Sequence, residues 1–175
     1  MKTCRTCGRD LEVIKDKPYK YDECGLDVQI IGLNQFVCKT CDVFFVSIPK
    51  IKELHRVIGG IVCSKNKGLL NGKEIKFLRK DLHLKAKDFA KMLGVTPQTV
   101  SKWENNNKKI GEKSDRLLRS IYLLYASEQA NHVVCHGVVR MFTDLPIIRK
   151  TYEEGQISLN PPDWTTGIPH EFCPS

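Results

Sequence analysis

Two cysteine pairs, Cys4-Arg5-Thr6-Cys7 and Cys38-Lys39-Thr40-Cys41, lie 30 residues apart. Two intervening residues let both thiolates of a pair reach one ion, with backbone N–H groups of the turn donating to the sulfurs. Two such knuckles close a tetrahedral four-sulfur site, and the metal of choice is zinc. Gly8, after the first pair, suits the left-handed position these turns need; Asp42, after the second, tolerates it less well. Four thiolates leave no open position for water, so the expected cofactor is one structural zinc ion held by Cys4, Cys7, Cys38 and Cys41, not a catalytic one. A redox dithiol would need a βαβ setting and would not account for two pairs. Of the other four cysteines, Cys24 and Cys63 have no C-x-x-C partner. His132, Cys135 and His136 share one face if helical, with His170 and Cys173 downstream, so a second metal site is open. Buried thiols and a polar helix face explain those residues more cheaply.

A second chemistry lies near Thr96-Pro97-Gln98-Thr99-Val100-Ser101-Lys102-Trp103-Glu104. Read as a helix, this stretch turns Val100 and Trp103 inward and presents Thr96, Gln98, Thr99, Ser101 and Lys102 outward. Gln98 can hydrogen-bond an adenine edge twice, and Lys102 can donate to guanine, if the helix lies in a major groove. Lys85, Lys87, Lys108 and Lys109 flank this face and suit phosphates.

The elements needed to hold such a face are also legible. Asn71 with Glu74 has capping-box spacing, and Ile75, Leu78 and Leu82 give the first helix its apolar side. A second helix is expected from Lys85 to Leu93, with Phe89, Ala90 and Leu93 inward. Gly94 ends it where a left-handed residue is wanted, and Thr96-Pro97 caps and starts the third. Small Ala90 allows close packing, which makes the pair a helix-turn-helix. A fourth helix around Lys113–Ser127 is expected to bury Leu117, Leu118, Ile121 and Leu124.

Charge agrees with this placement. The 175 residues carry a net +8, divided as +1 over residues 1–50, +3 over 51–70, +7 over 71–127 and −3 over 128–175. A field concentrated on the helical stretch points to an anionic partner, double-stranded DNA first. No apolar run approaches the ~20 residues of a membrane span, and Met1-Lys2-Thr3-Cys4 leads into no signal-peptide core. The expected compartment is therefore the cytoplasm, where thiols stay reduced.

The expected fold class is α+β. A small β-rich, zinc-ribbon-like domain (1–50) leads through a helical linker (51–70) to an all-α helix-turn-helix domain (71–127) and a C-terminal extension of unknown role (128–175). In the linker, the stripe Ile51, Leu54, Val57, Ile58 is expected to stop at Gly59-Gly60. Five of the eight prolines fall in the last 30 residues, which read as mostly irregular.

Taken in order, the two cysteine pairs, Gly72–Lys80 and Asp88–Glu104 resemble the MqsA (YgiT-type) antitoxins, which join an N-terminal zinc domain to an Xre-type helix-turn-helix. The likeness covers roughly residues 1–125. It implies a dimeric transcriptional repressor that binds a palindromic operator near its own promoter, with the zinc domain contacting a cognate toxin. The family's zinc ligands fall on Cys4, Cys7, Cys38 and Cys41, and its two main base-reading positions on Gln98 and Lys102. Lys85-Ala86 replaces the usual Ser-Gln of Xre domains, so a phosphate contact of that Gln is lost or passes to Lys85. The base-reading residues also differ from the familiar ones, and residues 128–175 run past the usual end. The alternative is a stand-alone chromosomal or phage-derived Xre-type regulator without a toxin and, behind it and from another class, a zinc-ribbon adaptor for RNA or protein. An enzyme is not expected: no Ser/His/Asp grouping, acid pair or glycine-rich phosphate loop stands out.

Overall fold

The computed structural model describes residues 3–64, 68–129 and 155–166. The architecture is α+β: five strands are followed by five helices, and a sixth strand and a short helix return from the C-terminal region, the six strands forming two three-stranded sheets.

The first sheet joins β1 (Glu12–Ile14), β4 (Gln35–Cys38) and β5 (Val43–Val46), all antiparallel, with Val13 opposite Phe36 and Phe36 opposite Phe45. Phe36 and Phe45 stack with ring centroids 5.0 Å apart. Gln35 is buried and donates through Nε2 to the Lys17 carbonyl at 2.6 Å, which ties β4 to the turn after β1. The second sheet pairs β2 (Tyr19–Lys20) with β3 (Val28–Ile30) antiparallel, and β3 with β6 (Ile157–Leu159) parallel. Val28 and Ile30 point to the same face and are fully buried, as a period of two requires.

Helix α1 (Ile51–Ser64) does not stop at Gly59-Gly60. A Cβ at Gly59 would lie 2.0 Å from Tyr122 Oη, so this residue is small because a tyrosine of another helix rests on it. Packing decides here over the helix-breaking tendency of glycine, roughly 1 kcal/mol per residue. Leu54, Val57, Ile58, Val62 and Cys63 of α1 are all buried, and the helix packs against α2 (Gly72–Asp81) and α5 (Glu112–Gln129). One hydrophobic core runs from Tyr21 and Ile30 through α1 to Phe89, Val100 and Tyr122.

Part of the C-terminal extension is docked. Ile157 and Leu159 of β6 are buried, and α6 (Pro162–Thr165) sets Trp164 against α1, with Nε1 donating to the Pro49 carbonyl at 2.8 Å. Lys50 Nζ donates to the Thr165 carbonyl at 2.9 Å.

The buried face of α5 differs from the expected one. Asp115, Leu118, Arg119, Tyr122 and Ala126 are inside, whereas Leu117 and Leu124 are 41% and 43% exposed and Ile121 is half-buried. The charged residues are inside because they satisfy one another and the neighbouring backbone. Arg119 Nε bonds Asp115 Oδ2 at 2.8 Å, and its other nitrogens donate to the carbonyls of Val62, Cys63 and Gly68. Asp115 Oδ1 accepts from Leu70 N at 2.7 Å. This pair therefore caps the end of α1 and fixes the approach to α2.

Candidate nucleic-acid interface and metal centre

The interface is built from α2, α3 (Ala86–Met92), α4 (Pro97–Glu104) and the start of α5. Asn71 and Glu74 form the expected capping box, each side chain accepting from the other's backbone N–H at 2.9 Å. The turn between α3 and α4 closes with Val95 N to the Ala90 carbonyl and Gly94 N to the Lys91 carbonyl. Gly94 has φ +65°, the left-handed value that this double closure demands. Thr96 caps α4, accepting from Thr99 N at 3.2 Å, and Pro97 occupies the first turn. Phe89, Ala90, Val100 and Trp103 are buried beneath the two helices.

On the outside, Thr96, Gln98, Ser101 and Lys102 are exposed along α4. Thr99 is half-buried, its hydroxyl 3.0 Å from that of Thr96, so it serves the cap before it can serve a base. Lys85 sits at the N-cap of α3 with no side-chain cap bond, and Lys87 is exposed in the first turn. Lys108 and Lys109 are exposed directly beyond α4, where the Lys108 N–H closes onto the Lys102 carbonyl. The nine residues thus occupy α4, the N-terminal end of α3 and the loop after α4.

Two positioning groups escape sequence reasoning. Arg79 of α2 forks onto Glu104 at the end of α4, with Nε–Oε1 at 2.5 Å and Nη2–Oε2 at 3.1 Å. Its remaining nitrogen donates to the Leu84 carbonyl at 2.9 Å, so one guanidinium joins α2, the turn before α3 and α4. Asn106, left-handed at φ +56°, accepts from Gly72 N at 2.8 Å. A Cβ at Gly72 would lie 2.5 Å from the Trp103 carbonyl, so α2 begins in direct contact with the end of α4. Arg79 and Glu104 lie 25 positions apart, and no local pattern links them.

In the N-terminal region the four paired cysteines meet. Their sulfurs all lie within 4.8 Å of one another, Cys7 and Cys38 at 3.6 Å. A tetrahedral site with Zn–S bonds of ~2.3 Å needs sulfurs ~3.8 Å apart, so this donor set fits a metal ion of that kind. Gly8 and Asp42 both adopt positive φ, +72° and +51°, as the two knuckles require. The backbone N–H groups of Cys7 and Thr6 point at Cys4 and lower its thiol pKa to about 6. The hydrogen bond with Cys7 and burial push Cys41 the other way, to about 12. A sulfur already favoured as thiolate beside three more is the chemistry of a soft-metal ligand set.

Cys24 and Cys63 stand apart from this cluster. Cys24 Sγ donates to the Tyr21 carbonyl at 3.3 Å, and Cys63 is fully buried in α1, where desolvation raises its pKa. His132, Cys135, His136, His170 and Cys173 lie outside the described residues. The sheet beside the cysteines also exposes Val13, Ile14, Val43, Phe44 and Phe45, between 37% and 50% each.

Against known proteins, the helix-turn-helix family model HTH_3 matches residues 75–114, from α2 into the first turn of α5. The chain therefore carries an Xre-type helix-turn-helix, the DNA-binding module of transcription regulators. Comparison with curated proteins and with solved structures finds no match. Among the described residues, no helix is long and apolar enough to cross a membrane.

Proposed function

We propose that the protein is a sequence-specific transcriptional repressor that reads its operator with α4. The observation that carries this reading is the coincidence of Gln98, Ser101 and Lys102, exposed on the second helix of the motif, with the +7 charge maximum of the chain. Gln98 and Lys102 contact base edges, while Lys85, Lys87, Lys108 and Lys109 hold phosphates. Thr96, Thr99 and Ser101 contribute at the helix start, Thr99 mainly through its cap. The protein binds a palindromic operator as a homodimer, because two-fold symmetric sites match two-fold symmetric proteins. Function divides along the chain as 1–50 for metal and partner, 71–127 for DNA, with 51–70 as the connection and 128–175 as an appended segment.

Within that class, the reading is the antitoxin and autoregulator of a type II toxin-antitoxin pair in the cytoplasm. The motif order resembling the MqsA antitoxins supports it. So does the apolar sheet surface around Phe44 and Phe45, which suits a protein partner such as a toxin. One structural zinc on Cys4, Cys7, Cys38 and Cys41 would hold that sheet together. Selection of bound fragments from genomic DNA tests the proposal. A palindrome upstream of the protein's own operon, beside a small gene toxic when expressed alone, is the expected result. Enrichment of one palindrome with no such neighbour leaves a stand-alone regulator, and no enrichment refutes both.

A further inference from the structure

The metal-bearing region and the helical body meet at a narrow neck. Cys4, Phe36 and Cys38 are buried, yet they stand apart from the hydrophobic core that joins the second sheet to the helices, which Val46 at the end of β5 reaches. The chain crosses between the first sheet and that core at residues 15–18, 31–34 and 47–50. Each crossing contains a left-handed residue: Asp16 at φ +59°, Gly32 at +80° and Lys50 at +46°. Asp16 and Lys50 hold this conformation against the preference of residues with a Cβ, so surrounding contacts must impose it.

The C-terminal segment supplies those contacts at two of the three crossings. Ile31 N donates to the Leu159 carbonyl at 2.8 Å, and a Cβ at Gly32 would lie 3.5 Å from Pro161 Cδ. The two bonds described above, Trp164 Nε1 to the Pro49 carbonyl and Lys50 Nζ to the Thr165 carbonyl, hold the junction of β5 and α1. The first crossing is tied separately, through Gln35 and the Lys17 carbonyl.

This segment is built as a peptide ligand. Ile157 and Leu159 enter as alternate residues of a strand beside β3, where Ile157 N donates to the Asp27 carbonyl at 2.9 Å and Gln156 Nε2 to Asp27 Oδ1 at 3.2 Å. Asn160 N donates to Asp163 Oδ2 at 2.7 Å, and Pro161-Pro162 stiffen the bend that presents the buried Trp164. Main-chain bonds for affinity and alternate side chains for specificity are the means by which an extended peptide joins a sheet edge. Three buried apolar side chains must offset the ordering of residues 155–166, so docking is closely balanced.

We propose that β3, the turn at 31–32 and the junction at 49–50 form a peptide-binding groove, specific for an Ile-x-Leu strand with a Trp five residues on, and that its occupant is the chain's own segment 156–166. Occupied, the groove locks the metal-bearing sheet to the helices. Released, it frees the neck and uncouples the apolar sheet surface from the DNA-binding body. The proposal does not rest on the functional reading above.

The test uses the full-length protein, purified with zinc present, and follows amide hydrogen exchange together with the rate of tryptic cleavage after Lys50. Trp164→Ala should lose protection at Ile31 and Ile157–Leu159 by about tenfold or more and be cut faster after Lys50 by a similar factor, with α3 and α4 unchanged. A synthetic peptide of residues 155–166, at about 1 mM to match the effective concentration that a tether supplies, should restore the protection of Ile31 and slow the cleavage. The same peptide carrying Ala in place of Trp164 should do neither. If Trp164→Ala does not fold, Leu159→Ala carries the same comparison and the same rescue. Protection at Ile31 and Ile157–Leu159 that survives the substitution would overturn the proposal. So would a loss shared equally by α3 and α4, cleavage after Lys50 that does not change, or a wild-type peptide that rescues nothing.

Discussion

Removing Arg79 should detach the recognition helix from the body that holds it. Its guanidinium makes two bonds to Glu104 and one to the Leu84 carbonyl, and the two side chains are only 14% and 11% exposed. Arg79→Ala leaves a nearly buried carboxylate without its cation and a carbonyl without its donor. Breaking a buried pair costs ~3–5 kcal/mol, and water at the slightly open rim brings this to about 2–4 kcal/mol. With a urea m-value of about 2 kcal/mol/M, the unfolding midpoint should fall by about 1–2 M. Glu104→Ala should cost a similar amount, and the double variant little more than either single. The coupling energy in the cycle is then at least ~1.5 kcal/mol. Lys80→Ala, an exposed change one residue away, should stay within about 0.5 kcal/mol. Circular dichroism in urea and anisotropy with labelled operator measure both effects, and Arg79→Ala should weaken operator binding while Lys80→Ala does so far less. A loss under about 0.5 kcal/mol for Arg79→Ala, or additive single variants, would refute the idea that this fork positions α4.

Further outcomes follow from other contacts. Arg119→Ala should destabilise by about 3–5 kcal/mol, because Asp115 stays buried and three carbonyls lose their donor; a urea midpoint near wild type would contradict this. Gly59→Val should destabilise by several kcal/mol, since its side chain and the Tyr122 ring need the same space; a thermal midpoint within 2 °C of wild type, about 0.5 kcal/mol, would show that the helices can part without penalty. Cys4→Ser or Cys38→Ser should abolish zinc in elemental analysis and lose amide protection in β1, β4 and β5. Tyr21–Ile30 should stay protected because α1 and β6 pack on it, and a uniform loss of protection would contradict that division. Lys109→Ala should weaken binding to all DNA sequences alike and reduce the salt slope by about one; a change of sequence preference instead would move Lys109 from phosphate to base.

What could be read in advance was local. The cysteine pairs, the Asn71–Glu74 box, the Gly94 turn and the Thr96 cap each lie within a few residues, and their chemistry does not depend on distant partners. Where tertiary contacts decide, the local rule fails in an intelligible way. Gly59 reads as a helix stop until Tyr122 is placed on it. Leu117 and Leu124 read as part of the buried stripe of α5, but Asp115 and Arg119 take the inner face, because each finds its partners there. A 3.6-residue period shows that a helix has an apolar side, but two apolar sides need the neighbours before they can be ranked. The tail is similar: Trp164 packs on α1 and bonds the Pro49 carbonyl, 115 residues away, and nothing near Trp164 announces it.

The central claim is that α4 reads sequence, and the most direct measurement is operator discrimination by its two proposed base-reading side chains. On a palindrome recovered from genomic selection, Gln98→Ala and Lys102→Ala should each cut discrimination by about 1–3 kcal/mol at one base pair per half-site, at different positions, with the fold intact. If both variants bind the operator and its single-base substitutions as wild type does, α4 is not the recognition helix and the account is wrong at its centre.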